Sequence, residues 1–174
     1  YSLTKRFTDF THVWLGVALG LAPVGGWLAV RGMDVTWFEV VQMSVLGLAV
    51  VFWLIGFDLI YALQDHEFDR RAKLGSLVVR WGPKNALLAA FLAHAVMLLL
   101  LAVFGLLGRF KIAYFAGFAG ILACVLLEHF IARRRSVGWI NVAFFRMNAL
   151  ISTVFLLVVV AEVAFPWFRM SGLR

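Results

Sequence analysis

The sequence predicts an all-α, polytopic transmembrane helix bundle, and three observations carry that prediction. The 174 residues are 64% hydrophobic and only 14% charged, with a mean hydropathy of +0.96. A soluble domain of this size could not hide so much apolar surface, so lipid is the solvent of most of the chain. Five apolar segments, at about 13–30, 37–57, 83–107, 112–131 and 142–163, are each long enough to cross about 30 Å of hydrocarbon. The cations then separate by side. Lys5, Arg6, Arg70, Arg71, Lys73, Arg80, Lys84, Arg133, Arg134 and Arg135 fall on one face, against Arg31, Arg109, Lys111, Arg169 and Arg174 on the other. The first face is therefore expected to be cytoplasmic, with the N-terminus of this chain inside and its C-terminus outside.

Residues 1–174 are read as one transmembrane domain. The net charge of +7 fits loops that face anionic lipid, and no nucleic-acid partner is expected. The lone Cys124 can form no internal disulfide, and the polar, basic first residues do not read as a cleavable signal peptide.

In the first segment Gly16 and Gly20 form a small-xxx-small step for close helix approach, and Pro23 is expected to kink the helix. Trp37, Trp139 and Trp167 stand at segment ends as interfacial anchors. Gly75-Ser76 reads as a turn, and Pro83 after Gly82 as the first turn of the third segment. The loop of about residues 70–82 is the longest polar excursion and a candidate cap. His94, in mid-span, is expected to hydrogen-bond within the bundle, and Glu128 and His129 to pair locally with the arginines that follow. Arg146, Asn141 and Asn148 cluster at the start of the last segment, where Arg146 would reach a diphosphate or snorkel to headgroups. Glu162 is expected at the interface. There is no Gly-rich phosphate loop, no Cys/His metal spacing and no serine nucleophile elbow.

The chemistry concentrates in residues 57–73. Asp58, Asp65 and Asp69 are seven and then four residues apart, which on a continuous helix puts them within about 20° of one face. Tyr61 borders that stripe, and Arg70, Arg71 and Lys73 follow at once. Oxygen ligands beside cations, at the end of an apolar helix, can hold a hard divalent cation together with an anion. A carboxylate near the bilayer centre costs about 2.5–3.5 kcal/mol, so Asp58 needs a partner or a wet cavity.

Asp58-x-x-Tyr61-x-x-x-Asp65-x-x-x-Asp69 resembles the second aspartate-rich motif of the UbiA superfamily of intramembrane aromatic prenyltransferases. Tyr1-x-x-x-Lys5-Arg6-x-Thr8 resembles the segment before that family's fifth helix, and Asn141-Val-Ala-Phe-Phe with Asn148 and Ser152 resembles its last helix. With His12 and Gly16 following, the wording is most similar to bacterial 4-hydroxybenzoate polyprenyltransferase-like members, including those of menaquinone synthesis. The resemblance implies a nine-helix bundle of which this chain is the C-terminal five. The first motif, Asn-Asp-x-x-Asp, would then lie in an N-terminal half or a partner chain.

It further implies Mg²⁺-dependent transfer of a polyprenyl group from polyprenyl diphosphate to an aromatic acceptor such as 4-hydroxybenzoate, in the bacterial cytoplasmic membrane. Asp65 and Asp69 would bind Mg²⁺, and Asp58 would complete the stripe or orient the acceptor. Lys5, Tyr1, Arg6 and Lys73 would contact the diphosphate, and Tyr61 would border the reacting carbon. The prenyl tail would lie among apolar side chains open to lipid. Two other readings remain at this point. An ion-coupled transporter would place its acids nearer the midplane, and a non-catalytic membrane subunit would tolerate changes at them.

Overall fold

A computed structural model describes residues 3–32, 34–133 and 142–164, and these fold as helices joined by short turns. After a 3-10 turn at Thr4–Arg6 comes α1, Thr11–Arg31. It runs through Pro23 without a break in its helical assignment, so the predicted kink does not interrupt it. Gly32, at φ 76°, ends the helix in a conformation that glycine adopts without strain.

α2, Trp37–Ala62, begins with a capping box: Glu39 N donates to Thr36 Oγ1, and the Glu39 carboxylate accepts from Thr36 N at 2.9 Å. Arg31 reaches back to the same carboxylate at 3.0 Å, which closes the α1–α2 turn. The two helices pack against each other along the predicted glycine step. A Cβ on Gly16 would stand 2.8 Å from the Val51 carbonyl oxygen, and one on Gly20 would stand 2.8 Å from that of Gly47. Only glycine permits this backbone approach.

α3, His66–Arg71, is a short surface helix leading to α4, Leu77–Leu107. Ser76 caps α4 by accepting from Val78 N at 3.2 Å. The third span therefore begins at Leu77, ahead of the predicted 83. Gly82, at φ 79° and ψ 160°, breaks helical geometry just before Pro83, so the Gly-Pro pair makes a kink within the helix.

α5, Ile112–Ala132, follows a tight turn with Arg109 at φ 51°. A π-helical turn, Val142–Met147, then opens into α6, Asn148–Ala164. Glu162, expected at the interface, is bound by the protein itself. It is buried at the far end of α6 and accepts from Lys111 N and Tyr114 N, both at 3.0 Å. Its carboxylate thereby caps the N-terminus of α5, the positive end of that helix. Trp139 and Trp167 lie outside the described residues.

Among the described residues, five stretches are long and apolar enough to cross a membrane: α1, α2, α4, α5 and Phe145–Glu162. One core cluster packs Leu59 and Ile60 of α2 on Val78, Ala86 and Ala90 of α4. A second, deeper in the bundle, joins Ala49, Met97, Leu101, Ile121, Val125 and Ile151. Large apolar side chains such as Leu99, Leu126 and Leu156 point outward, the pattern of helices solvated by hydrocarbon.

Candidate active site

The acidic stretch is not one helix. α2 ends at Ala62, residues 63–65 form a turn, and α3 starts at His66 with Asp65 at its N-terminal boundary. Glu67 and Asp69 in the first turn favour a helix start there. The expected continuous helix under Asp58, Asp65 and Asp69 is therefore interrupted: α2 carries Asp58, and a tight turn leads to Asp65 at the boundary of α3 and Asp69 within it.

Lys5, in the 3-10 turn before α1, joins the two α3 acids across the sequence. Its Nζ donates to Asp69 Oδ2 at 2.8 Å and lies 3.7 Å from Asp65 Oδ2. The Asp69 side chain is 1% exposed and that of Asp65 is 44% exposed, so one acid is the floor of the site and the other its mouth. Asp69 Oδ1 is buried and has no hydrogen-bond partner among the described residues. Two ties position Lys5. Gly75 N donates to the Lys5 carbonyl at 2.7 Å, and Arg80 donates to Asp9 at 3.1 Å. A Cβ on Gly75 would come within 2.8 Å of the Thr8 carbonyl, so the close approach of the loop requires glycine. The predicted cap of residues 70–82 thus comprises the last two residues of α3, a short linker and the start of α4, docked on the Lys5 segment.

Asp58 is buried at the α1–α2 seam, where His12 Nδ1 lies 2.7 Å from its Oδ2. Its needed partner is thus a histidine from the neighbouring helix. His12 Nε2 and Thr11 Oγ1 are also buried without a hydrogen-bond partner among the described residues. Tyr61 is half-buried near the end of α2. Arg6, Arg70, Arg71 and Lys73 are exposed around the α3 end, Lys73 at φ 54°. Tyr1 and Asn141 lie outside the described residues. No group of three or more His, Cys, Asp or Glu side chains forms a metal cage among the described residues.

Sequence reading gave no site role to His12, Asp9, Arg80 or Gly75. The available signal was modest: a histidine and an acid each alone on an apolar helix near the same predicted membrane face.

Deeper in the bundle His94 does hydrogen-bond as expected. Its Nδ1 meets His129 Nε2 at 2.9 Å, and its Nε2 meets the Trp53 carbonyl at 3.2 Å. Glu128 has no arginine partner among the described residues, and Arg134 and Arg135 lie outside them. It is buried, with Oε2 3.9 Å from His94 Nδ1, because its position on α5 faces α4 rather than the helix end. Asn148 accepts from Trp53 Nε1 at 3.0 Å. Between α2, α4, α5 and α6 lies a cavity of about 140 Å³ lined by Trp53, Met97, Leu101, Ile121, Ser152 and Phe155, among others. That lining is almost wholly apolar.

Fold and site together define a multi-pass α-helical membrane protein with a lysine-bridged pair of acids at one end of its bundle. The chain belongs to the UbiA prenyltransferase family, whose model matches residues 1–168. It is similar to a 4-hydroxybenzoate octaprenyltransferase of Aromatoleum aromaticum, 30% identical over 95% of this chain and 54% of that one. A protein of the same name in Methylobacillus flagellatus is 30% identical over 98% of this chain and 54% of its own length. Among solved structures, the apo form of a UbiA homolog from Aeropyrum pernix superposes with a TM-score of 0.80 at 26% identity, covering 92% of this chain and 58% of that one. The chain thus spans about half the length of the curated relatives it matches.

Proposed function

We propose that this chain contributes the C-terminal part of an aromatic polyprenyltransferase. The enzyme would move a polyprenyl group from its diphosphate to an aromatic acceptor such as 4-hydroxybenzoate, in quinone biosynthesis at a bacterial cytoplasmic membrane. The observation that carries this reading is Lys5 held between Asp65 and Asp69 while Asp69 Oδ1 is buried without a partner. The similar octaprenyltransferases support the reaction class.

The acids fit a hard divalent ion. Both offer carboxylate oxygen, one oxygen is already desolvated and unclaimed, and Mg²⁺ is held by one or two carboxylates when phosphate supplies other ligands. Asp65 and Asp69 are the residues that would hold Mg²⁺, and the first aspartate-rich motif would come from the remainder of a longer chain or a partner. The bound ion would offset the charge that develops on the departing diphosphate. Lys5 is near enough to both acids to give the same diphosphate a donor, and Arg6, Lys73 and Tyr1 would line its approach. Asp58, fixed by His12, and Tyr61, one turn along α2, would face the acceptor side. The apolar cavity behind Trp53 would take part of the prenyl chain and keep water from the allylic cation. With α2 ending there, the acids would lie at a membrane boundary, on the side from which a water-soluble aromatic acceptor arrives.

The test is transfer of labelled polyprenyl diphosphate to 4-hydroxybenzoate in membranes carrying the longest natural reading frame, with and without Mg²⁺. Product that needs Mg²⁺ and disappears in Asp65→Asn is the expected result. Undiminished product from Asp65→Asn would remove the acids from the chemistry. Cation flux into liposomes that is lost in Asp58→Asn would favour a transporter instead.

A further inference from the structure

A second cavity, of about 500 Å³, opens between α4 and α5. It is lined by Lys84, Leu87, Leu88 and Phe91 of α4, His129 of α5, and Arg133 just past the end of α5. The antiparallel order of the helices puts the start of α4 and the end of α5 at the same end of the bundle as α3. The kink at Gly82 places Lys84 in the first turn of the long apolar part of α4. Across from it Arg133 follows the last turn of α5. Neither cation has an acidic partner among the described residues. The floor is ordered: His129 Nε2 is held by His94, and the Phe91 ring meets His129 edge-on at 5.3 Å between centroids.

Two uncompensated cations at a cavity mouth call for an anion. Among the described residues no carboxylate lines this cavity, so it lacks the oxygen ligands with which a metal–diphosphate complex would be held, and its lining is separate from the Asp65–Asp69 site. A free phosphate would satisfy the cations but leave the rest of the wall bare. Leu88 and Phe91 are both exposed on the flank of a membrane-spanning helix, where a ligand with an apolar tail covers them. We propose that this cavity binds an anionic phospholipid, with Lys84 and Arg133 on the headgroup phosphate and Leu88 and Phe91 against the first acyl carbons. Basic pockets between transmembrane helices take such headgroups by the same combination of charge and apolar wall. This site does not depend on the prenyl-transfer reading.

The experiment uses the full-length natural chain, purified and stripped of lipid, with phosphatidylglycerol or phosphatidylcholine titrated in and bound lipid counted by native mass spectrometry. Phosphatidylglycerol is expected to bind the wild type, and Lys84→Gln and Arg133→Gln each to weaken it roughly fivefold. The double variant would then lose roughly 25-fold, Arg133→Lys would retain most of the affinity, and phosphatidylcholine binding would be unchanged throughout. Both cations are exposed, so circular dichroism should show all variants folded, and each single variant tests the proposal by itself. Equal binding of phosphatidylglycerol by wild type and double variant overturns it, as does equal binding of the two lipids by the wild type. Displacement of the lipid by inorganic phosphate at matched concentration would mean a free-anion site and also overturns it. So would failure of a maleimide to label Leu88→Cys in the lipid-free protein, since another protein segment would then already cover the cavity.

Discussion

Asp69 is 1% exposed with Lys5 Nζ 2.8 Å from one of its oxygens, whereas Glu128 is 0% exposed with neither oxygen hydrogen-bonded among the described residues. Both acids are buried in helices of one bundle. Asp69 lies where α3 meets the Lys5 turn, and its charge is met by a flexible cation that is itself part-exposed. Glu128 faces the imidazole of His94 from α5, with no cation beside it inside the bilayer-spanning part. A buried acid that carries a paired charge at a boundary can exchange its partner for a ligand. An acid locked among packed helices, with no cation beside it among the described residues, has no such partner to give up. Under the proposed function Asp69 is the acid expected to meet a ligand and Glu128 the one expected to pack, although sequence alone presents both as acids near arginines.

The sharpest way to break that comparison is Asp69→Asn. In the full-length enzyme it is expected to lower prenyl transfer by about 10²–10³. The folded state should lose only about 1–2 kcal/mol, because Lys5 can turn to water or to Asp65. Turnover and thermal melting measured on one preparation separate the two. A collapse in melting temperature with unchanged turnover per folded molecule would make Asp69 a structural residue.

Gly56→Ala probes the other region. A Cβ there would stand 2.9 Å from the Ala90 carbonyl and run into the His94 ring, so overpacking should cost about 1–3 kcal/mol. The loss is expected in stability and not in turnover per folded molecule. A selective loss of turnover would tie the His94 cluster to catalysis.

Glu128→Gln should do less. It keeps the shape and a polar end group where neither carboxyl oxygen has a hydrogen bond to lose among the described residues, so stability is expected to change by no more than about 1 kcal/mol in either direction. Turnover should persist. If this variant were as inactive as Asp69→Asn, the two acids would belong to one function and the division drawn above would fail.

The spans were legible because length and apolarity in lipid are local properties, and the glycine step Gly16/Gly20 because small residues at that spacing have few other uses. The break within the acidic stretch was not legible for a related reason. Periodicity assumes the helix continues, and nothing in the side chains of Gln64 or Asp65 forbids that, yet α2 stops at Ala62. Partners such as Lys5 and Asp69, His12 and Asp58, or Glu162 and the start of α5 are dozens of residues apart. Which of them meet depends on how whole helices pack, and a pattern of three- and four-residue spacings carries no information about that.

The smallest expected effect tests what positions Lys5. Arg80 and Asp9 form an exposed pair at 3.1 Å, while Gly75 N and the Lys5 carbonyl share a backbone bond at 2.7 Å. Exposed pairs contribute about 0.2–1 kcal/mol and weaken with salt, whereas the backbone bond is fixed by the close approach at Gly75. Arg80→Ala should therefore shift melting slightly, raise KM for the diphosphate by no more than about twofold, and leave kcat alone. High salt should reproduce most of that shift in the wild type. A tenfold loss of kcat/KM in Arg80→Ala would instead mean that the ion pair holds Lys5 against Asp69, and that the acid site is set from the surface of α4 rather than by the backbone beneath it.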